Sequence, residues 1–239
     1  MANPYFQFKK FIVYHDRCAM KVTTDACLFG AWCAEKIKEI KEAQTALDIG
    51  TGSGLLSLLI AQKNDLVIDA LEIDAEAAQQ AKKNITSSPW ENRINVINCN
   101  ATEFFFPKEY DIIFSNPPFY ENEIESSTGA KNTAHHGHGL KMEVLVAITK
   151  KHLKFSGYFF FLLPHKRFNE IDRLINKHEL FINEKWIVSP SLSHLPFRVM
   201  IRGCHRPSEI MVKSMAIKND SNVYSNEFIS LLTDYYLHL

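Results

Sequence analysis

The sequence predicts an α/β fold built on a mostly parallel sheet, and three observations carry that reading. From Thr45 onward, short apolar runs alternate with stretches of helical period, the order that gives parallel strands with helices on both faces. A glycine-rich turn, "DIGTGSG", joins the first of those strands to a helix. Further on, "YDIIF" runs into "SNPPFYEN", where two prolines must stop a strand, because proline has no N–H to give to the ladder. Open sheets of this kind bind ligands at the carboxyl ends of their strands, and both segments fall at such ends.

The elements follow in order. "FQFKKFIVYHD" mixes aromatics with lysines, which fits a strand packing by one face, and "VTTDACLFGAWCAEKIKEIK" reads as a helix from near Thr24. "TALDIG" is a strand and "GLLSLLIAQK" a helix. "LVIDALEID" is a strand, "AEAAQQAKKNI" a helix of strong helix formers, and "INVINCN" a strand. "YDIIFSN" is the next strand. After a polar loop, "LKMEVLVAITKKHLKF" reads as an amphipathic helix, and Gly157 opens the strand "YFFFLLP". "EKWIVSPS", "FRVMIRGCH" and "EIMVKSMAIK" are strands without helices between them, so the late part of the sheet is expected to be antiparallel. "SNEFISLLTDYYLHL" closes as a helix with Ser225 as N-cap.

Composition bounds the function classes. The 239 residues are 46% hydrophobic and 23% charged, values that suit one globular α/β domain. No run approaches the roughly 20 apolar residues that span a bilayer, and "MANPYFQFKK" lacks the layout of a signal peptide. The five cysteines are odd in number and show no CxxC spacing, which points to reduced thiols, a cytoplasmic location and no zinc site. The zero net charge hides an uneven distribution: residues 1–41 carry +3, residues 42–139 carry −8 and residues 140–239 carry +5. Two basic ends leave room for a polyanion, although ordinary scatter gives the same numbers.

Gly50, Gly52 and Gly54 end a strand and open a helix. Glycine permits the tight turn and a close ligand approach, and free amides at the helix start favour a carboxylate or phosphate. The spacing is G-x-G-x-G rather than the dinucleotide G-x-G-x-x-G, with Asp48 two residues ahead of it. An acid there repels the phosphates of a dinucleotide and accepts from the amino group of a zwitterionic ligand. Twenty-two residues past Gly50, Glu72 ends the second strand, where a carboxylate takes both hydroxyls of a ribose. Asp74 is the alternative, with a simpler role in the first turn of the next helix. Asn100 ends the third strand, placed for an adenine edge or for a turn.

The Asn-Pro-Pro segment carries the chemistry. The Asn116 side-chain oxygen and the Pro117 carbonyl are two acceptors at fixed spacing, suited to a planar –NH2 group. The rings of Pro117 and Pro118 freeze φ, so little ordering cost remains when a substrate arrives. Phe119 offers a face for a flat base. An exocyclic purine amine is a poor nucleophile, and two acceptors in the correct directions favour a pyramidal nitrogen whose lone pair points at an electrophile. A structural proline turn is the competing reading.

At these residues the chain resembles the class I S-adenosylmethionine-dependent methyltransferases, in the amino-methylating group marked by (N/D)PP(Y/F/W). Within it the chain is similar to the bacterial valine-tRNA adenine-37 N6-methyltransferases, through "MKVTTDACLFGAW", "LDIGTGSGLLSL", "ALEID", "NPPF" and "LPFRVMIRG". The resemblance implies a Rossmann-like, mostly parallel seven-stranded sheet with an antiparallel last strand. It implies S-adenosyl-L-methionine as cofactor and methyl transfer to the adenine beside the anticodon of a valine tRNA. Asp48 and Gly50, with Gly52 and Gly54 in the same motif, would hold the methionine part, Glu72 the ribose, Asn100 the adenine edge, and Asn116 to Phe119 the target base. Asn100 stands where the family usually has Asp, and Phe119 where Tyr is common. NPPF alone is shared with ribosomal-RNA guanine methyltransferases, and NPPY with release-factor glutamine methyltransferases. A non-catalytic RNA-binding module would leave the paired acceptors without a purpose.

Other positions are open to two readings. His135, His136 and His138 lie in "NTAHHGHG", with no further metal ligand at suitable spacing, so a substrate loop that includes Lys131 is expected rather than a metal site. His165, Lys166 and Arg167 in "PHKRF" could meet phosphate or start a solvated helix, and Lys21 in the lead-in has the same ambiguity. Arg198, Arg202 and Arg206 fall at four-residue steps on a strand and so share a face, wet or in contact with RNA. The expected organisation is one domain, 1–239, with 1–44 a substrate-side extension and 45–239 the cofactor-binding and catalytic core. tRNA is the expected partner, with neither a membrane nor an obligate protein partner.

Overall fold

The computed structural model describes residues 3–118 and 140–239. The chain opens with a small antiparallel hairpin, β1 (Tyr5–Gln7) and β2 (Ile12–Tyr14), and then α1 (Thr24–Lys38). β3 (Thr45–Ile49), α2 (Leu55–Ala61), β4 (Val67–Glu72), α3 (Ala75–Thr86), β5 (Ile94–Asn98) and β6 (Tyr110–Ser115) alternate as the sequence predicts. After the undescribed segment come α4 (Met142–His152), β7 (Leu153–Pro164), α5 (Phe168–Lys177), β8 (Phe181–Ser191), β9 (Arg198–Cys204), β10 (Met211–Lys218) and α6 (Asn226–Leu232). Asp74 caps α3 by accepting from Ala77 N, and Ser225 caps α6 by accepting from Phe228 N.

Strands β3 to β10 form one sheet in the order β10-β8-β9-β7-β6-β3-β4-β5. Every neighbouring pair is parallel except the two made by β9. The seven-stranded, mostly parallel sheet with its antiparallel last strand, β9, is therefore present, and β10 adds an eighth strand at the edge. The expectation of an antiparallel late sheet needs correcting for β10, which lies parallel to β8. β9 ends at the amino-end side of the sheet, and the short 205–210 connection turns the chain round and carries it past β8, so β10 runs in the direction of β8.

Alternation along the strands sends side chains to two cores. On β7, Phe160 and Leu162 face the layer of α1, α2, α6 and the hairpin, while Phe159, Phe161 and Leu163 face α4 and α5. Among the described residues no helix is long and apolar enough to cross a membrane.

Three further expectations change. The aromatic lead-in folds as a hairpin, because Phe8 and Phe11 stack 4.5 Å apart across its turn. The "LKF" at the predicted end of α4 belongs to β7, where Leu153 registers with Tyr110, and the sheet overrides the helical pattern. The two arginines of β9 pair with acids of the protein itself. Arg198 Nε pairs with Asp25 of α1 at 2.7 Å, and Arg202 pairs with Glu39 at 3.0 Å and the buried Glu184 at 3.3 Å, while Arg206 lies beyond β9.

Gly203 sits where β7, β8 and β9 press together. A Cβ there would lie 2.5 Å from both Phe159 Cε1 and the Phe181 carbonyl oxygen. Gly203→Ala is expected to destabilise the protein by about 2 kcal/mol, lowering Tm by roughly 4–8 °C in a thermal melt.

Candidate active site

The site is assembled where β3, β4 and β6 end side by side. At the end of β3 the chain turns through Gly50, Gly52 and Gly54 with φ of 76°, 55° and 83°, the left-handed region that glycine enters freely. A Cβ on Gly50 or Gly52 would meet no atom within 4 Å, so the turn faces open space. Its amides do not. Gly50 N and Thr51 N both donate to the Leu71 carbonyl at 2.9 Å, Gly52 N donates to Glu72 Oε2 at 2.8 Å, and Gly54 N donates to Thr51 O. These four turn amides are thus taken by the protein itself.

Asp48 is buried under the turn. Its Oδ2 accepts from the Thr51 and Ser57 hydroxyls, each at 2.7 Å, while Oδ1 is buried and has no partner. Burial pushes its carboxyl up to about 7, against the lowering effect of those two hydroxyls. Glu72 ends β4 with only 9% of its surface exposed. Oε1 accepts from Asp74 N at 3.0 Å and Oε2 from Gly52 N, so the carboxylate is fixed in place with acceptor positions to spare. Cys18 and Cys99 both feel the Glu72 charge. Burial, reinforced by that charge, pushes the Cys18 thiol up to about 12 and raises Cys99, so neither supplies a thiolate.

Asn100 takes the turn position, one of its two readings. Its Oδ1 accepts from Thr102 N at 3.1 Å and Thr102 Oγ1 at 2.8 Å, and its Nδ2 donates to Glu103. Both lone pairs of the amide oxygen are engaged by its own turn.

At the end of β6 the buried Ser115 hydroxyl donates to Ile49 O at 2.7 Å and ties that strand to the end of β3. Asn116 follows, half-buried, then Pro117, buried, and Pro118, half-buried, with trans peptide bonds. Among the described residues no partner takes the Asn116 carboxamide. The glycine turn, Glu72 and Asn116 therefore share one rim.

The family described as methyltransferase small domain matches residues 33–175. A tRNA1(Val) (adenine(37)-N6)-methyltransferase from Parabacteroides distasonis is 35% identical over 243 residues, spanning 100% of both chains. The chain belongs to that family. Among solved structures, a predicted O-methyltransferase from Agrobacterium tumefaciens matches with a TM-score of 0.65 at 15% identity, over 88% of this chain and 96% of that one. A putative class I S-adenosylmethionine-dependent methyltransferase from Listeria monocytogenes matches with a TM-score of 0.59 at 13% identity, over 82% of this chain and 68% of its own. At these identities the likeness is one of fold, and the fold is that of the class I methyltransferases.

Lys21 is exposed in the stretch before α1. His165, Lys166 and Arg167 form a single 3-10 turn directly after β7, and Arg167 pairs with Glu170 at 2.8 Å. Phe119, Lys131, His135, His136 and His138 lie outside the described residues. A cleft of about 680 Å³ lies between residues 101–106 and α4, and the glycine turn, Glu72 and Asn116 are not among its lining residues.

Sequence reasoning missed the groups that hold this arrangement together. Gln80 and Asn84, four residues apart on α3, clamp the lead-in. Gln80 accepts from Arg17 N at 2.9 Å and donates to Asp16 at 2.6 Å. Asn84 exchanges two hydrogen bonds with the Tyr14 backbone and donates to Ser53 O at 2.9 Å, inside the glycine turn.

The buried Asp48 has a consequence in solution. A native carboxyl that keeps its proton to about pH 7 contributes stability that is complete below the unfolded value near 3.8 and is lost as pH rises toward 7. Urea unfolding across this window should show wild-type stability falling relative to Asp48→Asn as pH increases. Parallel curves for the two proteins would contradict it.

Proposed function

We propose that this chain transfers a methyl group from S-adenosyl-L-methionine to the N6 amine of an adenine in tRNA, adenine 37 of a valine tRNA. The observation that carries the reading is Asn116, presented on a rigid Pro-Pro segment and tied through Ser115 to the strand that bears the glycine turn. The relative's printed substrate supports the choice of tRNA, and its identity runs the full length of the chain.

The residues present fit the cofactor. The orphaned, buried Asp48 Oδ1 is an acceptor that suits an ammonium group, the space over Gly50 and Gly52 admits a ligand against the backbone, and Glu72 keeps acceptor positions for ribose hydroxyls. Gly54 packs on Ile85 of α3, 3.3 Å from where a Cβ would stand, and holds the start of α2 in place. The cofactor supplies an electrophilic methyl group when bound.

The chain's own part is positioning. The Asn116 side-chain oxygen and the Pro117 carbonyl accept the two amine hydrogens and turn the nitrogen lone pair toward the cofactor side of the rim. The same acceptors hold the proton that the alkylated amine must lose until it passes to water. Phe119 stacks on the base, and Lys21, Lys131, His165, Lys166 and Arg167 line the approach of the RNA. In this reading residues 1–239 make one domain, with 1–44 on the substrate side. Phe8, Phe11 and Val13 share a core with α2 and α6, which supports it. The five unpaired cysteines agree with a cytoplasmic location.

Incubation with labelled S-adenosyl-L-methionine and unmodified total tRNA, followed by digestion, should yield N6-methyladenosine. A methylated guanine, or label only in ribosomal RNA or release factors, overturns the substrate. Asn116→Ala is expected to bind cofactor normally by calorimetry and to lose transfer by about 10²–10³-fold in single-turnover assays. A parallel loss of cofactor affinity would remove Asn116 from its role.

A further inference from the structure

The hairpin that joins β8 to β9 reaches the same rim as Asn116. β8 ends there at Ser191 because it runs with β7, and β9 starts there because Arg198 registers with Pro164 at the end of β7. β9 lies two places from β6 in the sheet, so the hairpin stands about 10 Å to the side of the Asn-Pro-Pro segment. At its tip Leu192 is 70% exposed and Leu195 is 87% exposed.

Those leucines sit on a rigid support. Ser191 Oγ bonds His194 Nδ1 at 2.7 Å and Ser193 Oγ at 3.0 Å, and His194 N donates to Ser191 O. Below the tip, Phe197 N donates to Val188 O and His165 N donates to Phe197 O, each at 3.0 Å, which joins the hairpin to the turn after β7. Arg198 lies over the Phe197 ring and is fixed to α1 through Asp25. Two large apolar side chains are thus held out into water by an ordered turn with polar neighbours. The patch is too small for a stable protein interface, and its place beside the site points to the molecule that visits the site.

We propose that Leu192 and Leu195 form an apolar wedge that enters the RNA stack when the target adenine leaves it, an inference that rests on the tRNA reading above. A base inside a stacked loop cannot present its amine to Asn116 until it is extruded, and extrusion forfeits stacking on both of its faces. Apolar side chains inserted at the vacated step recover part of that loss without reading sequence. Single-stranded RNA loops, whose bases splay readily, are the RNA form that admits such a wedge.

The test uses the full chain and an anticodon stem-loop with 2-aminopurine at the target position, whose fluorescence rises when the base unstacks. Wild type should give the rise, and a Leu192→Ser/Leu195→Ser variant should lose it. The serine variant should also raise KM for tRNA about tenfold, with Tm and S-adenosyl-L-methionine affinity unchanged. The corresponding double Met variant, which keeps an apolar tip, should retain both signals. A serine variant with wild-type fluorescence and KM overturns the wedge and leaves the methylation reading standing. So does one whose only change is in self-association, which would assign the patch to a contact between copies. Absence of tRNA methylation by wild type removes the reading itself, and the wedge with it.

Discussion

The site depends on one carbonyl. Leu71 O, at the end of β4, accepts from both Gly50 N and Thr51 N and so folds the turn after β3 back onto its neighbour. That pair of hydrogen bonds leaves Gly52 N aimed at Glu72, so the carboxylate and the glycine turn fix one another. Ser115 then ties β6 to the last residue of β3. Three strand ends become one rigid rim, and catalysis by positioning needs such rigidity more than it needs any group of special acidity.

Holding an acid inside this rim has a cost. Asp48 is fully buried with one oxygen unpartnered, a condition that burial alone makes unfavourable for the charged form. The two hydroxyls on its other oxygen offset part of that penalty. A cationic group arriving beside Asp48 would relieve the rest, so the strain is concentrated where a ligand can remove it. Elsewhere buried charge is matched in place: Glu184 is met by Lys36 and Arg202, in a cluster that locks α1 to β8 and β9.

Much of this was legible in the sequence, and the pattern of misses is physical. The glycine turn, Glu72 and Asn116 could be placed because glycines and prolines punctuate strands, and strand ends set the rim. Asn100 was read toward a ligand although Thr102, two residues on, is the partner that an Asx turn requires. The pairing partner of β10, and so its parallel register, depends on where a six-residue connection emerges, which no periodicity records. Gln80 and Asn84 were not singled out, because their partners Asp16 and Tyr14 lie 64 and 70 residues away. Arg198 and Arg202 were grouped correctly on one face, yet the acids that neutralise them lie on α1, at its C-cap and on β8, off the strand that carries the arginines.

The clamp on α3 bears on how this chain can change over time. Asn84 is 2% exposed, and Tyr14 supplies the donor for its oxygen and one of the acceptors for its amide. A deletion that shortened the N-terminus past Tyr14 would strand those groups in the interior, at about 1–3 kcal/mol each. The same amide would then be held only by Ser53, in the turn that faces the ligand. The segment ahead of α1 is therefore a tether as well, and evolutionary trimming of this chain must stop before Tyr14.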